Sequence, residues 1–130
     1  MSRGLGKIER AIVRAIEVNR DAGHPAHVSS WAITLDVFEP KPEAPGWRWM
    51  WNPTRSQRAS VVHAMRTFVR KFPCYDLAGG QGRKPLLLYE PSDPLGGMWA
   101  QLFTETPGTP SLAGARRALD AARAVTMTRA

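Results

Sequence analysis

The sequence predicts an α+β fold of three helices, a two-stranded hairpin and a C-terminal helical extension. Two observations lead to it. Apolar residues recur at i, i+3, i+4 spacing in three successive segments, the signature of helices that each bury one stripe. After the third segment, two short apolar runs flank a glycine-rich polar tip, which reads as a hairpin. A third observation points to function. Between Pro53 and Tyr89 lie seven cations and a single anion, Asp76, so this helix–hairpin unit carries +6 of the formal +7. The flanking segments are almost neutral.

The 130-residue chain is 43% hydrophobic and 22% charged, which suits one domain with an ordinary core. Residues 6–91 are expected to form that domain, with 92–130 as the extension. One cysteine, Cys74, excludes an intramolecular disulfide framework and a multi-cysteine metal cage. A reducing cytoplasm is the expected compartment. No signal-peptide pattern opens the chain, and no apolar run approaches the ~20 residues needed to cross a bilayer.

The first helix is expected over Lys7 to Asn19, with Ile8, Ala11, Ile12, Ala15 and Ile16 on one face, ended by Gly23 and Pro25. Ser29 or Ser30 caps a second helix that places Trp31, Leu35 and Phe38 on its apolar side and stops before Pro40. Between the second and third helices, Glu39 to Pro53 holds four prolines and the tryptophans Trp47, Trp49 and Trp51. Their alternation suits one face of a short strand. They also suit stacking on unpaired bases or docking on a partner.

The third helix runs from Thr54 to Lys71. Thr54 and Gln57 have capping-box spacing. At 100° per residue, Val61, Val62, Met65, Phe68, Val69 and Phe72 share the core sector. Ser56, Ala59, Ser60, His63, Thr67 and Arg70 lie opposite, with Arg66 on the border. Cys74–Leu77 and Leu86–Tyr89 are the expected strands, joined by residues 78–85, with Cys74 buried and inert at the start of the first. Beyond, Met98 to Phe103 is read as a short helix and Ser111 to Val125 as a final one.

The stretch from Asn52 to Arg66, with its Pro-Thr-x-x-Gln start, a Ser-Val pair and a basic, apolar-patterned helix, resembles the third-helix segment of prokaryotic winged helix-turn-helix regulators. The resemblance implies a three-helix core with a two-stranded β-hairpin wing. It implies a DNA-binding protein, of transcription-regulator type, with the 54–71 helix in the major groove and the 78–85 wing on the backbone or minor groove. Carried over, the DNA-binding residues are Arg55, Ser56, Arg58, Ser60, His63, Arg66 and Thr67 with Arg70 on the helix. Gln81, Arg83 and Lys84 are those of the wing. The implied partner is double-stranded DNA, with a homodimer formed through the final helix or the tryptophan segment. No membrane, small-molecule ligand, cofactor or metal is implied. The alternative is a winged-helix protein-interaction module that uses Trp47, Trp49 and Trp51 in a larger assembly.

Other chemistry finds little support. Gly79 to Lys84 lacks the Gly-Lys-Ser/Thr ending and following helix of a phosphate-binding loop. His24, His27 and His63 have no metal-ligand spacing. No nucleophile is visibly arranged with a base, so an enzyme is not expected.

Overall fold

Helix α1 (Lys7–Asp21) buries Ala11, Ile12 and Ile16, the stripe its periodicity predicts. It runs two residues beyond the expected end and closes in a Schellman motif. Gly23, at φ 76°, donates its N–H to the Arg20 carbonyl, and His24 donates to that of Asn19. The computed structural model describes residues 6–39, 51–81, 84–105 and 110–129. Trp47, Trp49 and Arg83 lie outside these residues, and Trp51 is half-buried.

A short strand, β1 (His27–Ser29), follows at once. It is not legible in the sequence, because three residues with one large apolar side chain carry no readable alternation. Helix α2 (Ser30–Phe38) then starts with the Ser29 hydroxyl accepting from the Ala32 N–H. Its buried face is Ser30, Ile33 and Thr34, and Trp31 is 45% exposed, which corrects the expectation that Trp31 faces the core. The reason is polar satisfaction. Thr34 Oγ1 donates to the Ser30 carbonyl at 2.7 Å, and Ser30 Oγ accepts from the Leu86 N–H at 2.9 Å. Two hydroxyls with internal partners can be buried cheaply, which frees Ile33 to fill the core.

Helix α3 (Arg55–Lys71) has the capping box its sequence predicts: Thr54 Oγ1 accepts from Gln57 N, and Gln57 Oε1 accepts from Thr54 N. Val61, Met65 and Phe68 are buried, and Val62 and Val69 are partly so. Phe72, read as core, is 39% exposed at the C-cap, where the helix has ended.

Strands β2 (Asp76–Gly79) and β3 (Leu86–Tyr89) form the hairpin. The first strand begins two residues later than expected, because Leu77 pairs opposite Leu88 and a turn, Tyr75 N–H to the Phe72 carbonyl, precedes it. Cys74 consequently lies ahead of the strand and is exposed, not buried. The sheet has three antiparallel strands in the order β1-β3-β2, where a two-stranded hairpin was expected. Central β3 reads Leu-Leu-Leu-Tyr because both its faces are covered. Leu86 and Leu88 enter the main core with Val28, Ile12 and Phe68, whereas Leu87 packs with Ala100 and Phe103.

Those last two residues belong to α4 (Pro94–Glu105), longer than the Met98–Phe103 expected. Asp93 Oδ1 accepts from the N–H groups of Leu95 and Gly96, capping a start that the prolines and glycines disguise. Helix α5 (Leu112–Arg129) packs on α4. The described residues thus form an α+β fold with five helices around a small antiparallel sheet.

Candidate nucleic-acid interface

Helix α3 positions most of the predicted residues. Its seventeen residues, Arg55 to Lys71, include no carboxylate. Arg55, Ser56, Arg58, Ser60, His63, Arg66 and Arg70 are exposed, and Thr67 is half-buried. Among the described residues none of the four arginines forms an ion pair. Their mutual repulsion is tolerated because water screens exposed charges. Lys71 differs: its Nζ is 3.0 Å from Glu9 Oε1, so this cation ties α3 to α1. Ser60 is also partly committed, its hydroxyl donating to the Ser56 carbonyl at 3.0 Å.

Gly80, Lys84 and Pro85 of the β2–β3 hairpin line the same cleft as Arg58, Val62 and Arg66 of this helix. Gly80 donates its N–H to the Pro85 carbonyl, and Lys84 N–H donates to the Gln81 carbonyl, which closes the turn. Gln81 is exposed. Lys84 is not simply a tip cation: its Nζ donates to the carbonyls of Phe103 and Thr104 at 3.0 and 2.8 Å. It thus satisfies the C-terminal carbonyls of α4, where positive charge is favoured.

The structure divides the predicted face in two. Arg58 and Arg66 border a cleft of about 1010 Å³ between α3, β1, the first turn of α2, the hairpin and α4. Ser60, His63 and Thr67 border a shallower depression of about 520 Å³ against the start of α1 and the end of α2. Arg55, Ser56 and Arg70 line neither.

The cleft also contains residues that sequence reasoning did not assign to a site: His27, Ser29, Trp31 and Trp99. The His27 ring stacks on Trp99, with centroids 3.5 Å apart and 19° between planes. Burial lowers its pKa to about 4, against a smaller raising effect of a backbone hydrogen bond, so the ring is neutral near pH 7. Its Nε2 is buried without a hydrogen-bond partner among the described residues. A signal for Trp31 existed in its place beside a helix cap, but helical periodicity assigned it to the core.

No group of three or more metal-ligating side chains occurs among the described residues, and none of their helices is long and apolar enough to cross a membrane. The site's groups can bind anions, stack on flat rings and donate hydrogen bonds. No protein-family model, curated protein or solved structure matches the chain.

Proposed function

We propose that the protein binds duplex DNA through α3 and the β2–β3 hairpin, as a winged-helix protein acting as a transcriptional regulator by occupying its site. One observation carries the reading. The exposed face of α3 bears Arg55, Arg58, Arg66 and Arg70, the helix has no acidic residue, and none of these four arginines forms an ion pair among the described residues. An exposed row of uncompensated guanidinium groups suits a polyanion better than a protein surface of mixed charge. The order of three helices followed by a hairpin supports the winged-helix resemblance. In this reading phosphate contacts supply most of the affinity, and base edges reached from α3 supply discrimination.

The test is selection from a random-sequence duplex library at several salt concentrations. The expected result is an enriched motif whose binding is abolished by combining Arg66→Glu with Arg70→Glu. Weak binding without an enriched motif, vanishing near physiological salt, would reduce the site to general polyanion attraction and overturn the regulator reading.

A further inference from the structure

A helix laid along a duplex needs a convex basic face, and α3 has one. It needs no cavity beside that face and no exposed indole, yet both are present. The cleft bordered by Arg58 and Arg66 has a volume of about 1010 Å³, ample for a ligand of drug or nucleotide size. Among the described residues that line it none is a carboxylate, and three are cations. Arg58, Val62 and Arg66 recur every fourth residue, so they form one stripe on α3, about 12 Å from first to last along the axis. Both arginines are exposed, while Val62 between them is half-buried and supplies apolar wall.

Trp31, on the first turn of α2 and 45% exposed, lines the same cleft. The core has been completed without it, by Ile33 and Thr34 of the same helix. Flat aromatic surface and two cations on one stripe are the complements of base and phosphate. Bases paired inside a duplex have both faces covered by stacking, so away from a duplex end only an unpaired base can offer a ring to an indole.

We propose that the cleft between α3, the start of α2 and the hairpin seats a single unpaired nucleotide, its base against Trp31 and its phosphate held by Arg58 and Arg66. The nucleotide belongs to a strand running off the duplex bound by α3, and in that respect the assignment rests on the DNA-binding reading. A free mononucleotide has the same chemistry, and the experiment separates the two sources.

The test uses the full chain and fluorescence anisotropy on a blunt duplex and on the same duplex extended by a three-nucleotide single-stranded end. Adenosine monophosphate is titrated separately against tryptophan fluorescence. The expected result is about tenfold tighter binding of the extended duplex. Trp31→Ala should remove that preference while leaving blunt-duplex affinity within about twofold, and Trp31→Phe should keep most of it. Equal binding of the two duplexes by the native protein would overturn the nucleotide seat and leave duplex binding standing. If neither duplex binds, the DNA-binding reading fails and the monophosphate titration decides. Quenching that is lost in Trp31→Ala would keep the seat with a free nucleotide as its occupant, and no quenching would overturn it.

Discussion

Gly79 shows how one residue couples the hairpin to the helix behind it. Its φ is +75°, and a Cβ built there would lie 2.8 Å from both Phe103 Cε1 and the Pro85 carbonyl oxygen. Gly79→Ala therefore combines left-handed strain with a clash against backbone, and should destabilise the fold by about 2 kcal/mol or more. Urea unfolding monitored by circular dichroism would read the loss as a lower midpoint. His27 makes a second residue-scale prediction. Its pKa is about 4 in the fold against the usual 6.5, so the unfolded chain takes up a proton that the folded chain refuses. Above pH 6.5 neither state is protonated there and stability is unaffected. As pH falls from 6.5 to about 4 stability is lost, and below that the loss levels off. After allowance for water reaching the half-buried ring, the effect is about 1–2 kcal/mol. His27→Phe should flatten this part of the stability–pH curve, while keeping a ring against Trp99.

At the scale of elements, α3 is bounded by local chemistry and α4 by tertiary chemistry. The α3 cap is written in Thr54 and Gln57, and both reciprocal hydrogen bonds form. Thr54→Ala should cost about 1 kcal/mol. Its effect on DNA binding should appear only through stability, since the threonine is outside the arginine face. The end of α4 depends instead on Lys84, which comes from the hairpin. Lys84→Ala should speed hydrogen exchange in the last turn of α4, at residues 101–105, with little change in α3. If exchange there is unchanged while duplex affinity falls, the lysine serves the ligand rather than the helix.

For the whole molecule, the decisive quantity is the response of binding to salt. Each phosphate neutralised contributes about −0.9 to the slope of log K against log salt concentration on duplex DNA. Under the proposed function, changing Arg55 or Arg70 to Gln should make that slope shallower by about 0.9. A charge change at Arg116, on α5, should leave it unaltered, since α5 packs on α4 and carries none of the residues assigned to DNA. Under the proposed function a homodimer would form through α5, where Val125 is 53% exposed, or through the tryptophan segment. Sedimentation at micromolar concentration should then show twice the monomer mass, and a monomer would remove that part of the reading.

Local signals determined a large share of the architecture. The stripe Ala11, Ile12 and Ile16, the Thr54–Gln57 cap, the core positions Val61, Met65 and Phe68, and the strand Leu86–Tyr89 all stand in the structure where sequence patterning places them. Such features arise from residues within a few positions of each other, so their physics is visible along the chain. Tertiary structure decided what depends on partners far away. It recruited His27–Ser29 as a third strand against β3, turned Trp31 outward because Ser30 found the Leu86 N–H, and left Cys74 exposed ahead of a shifted strand. It also drew Lys84 to α4 and assembled the cleft from β1, α2, α3, the hairpin and α4. The basic character of the α3 face could be read from sequence, because charge and helical period are local. The cavity beside it could not, because its walls meet only when the sheet and α4 pack.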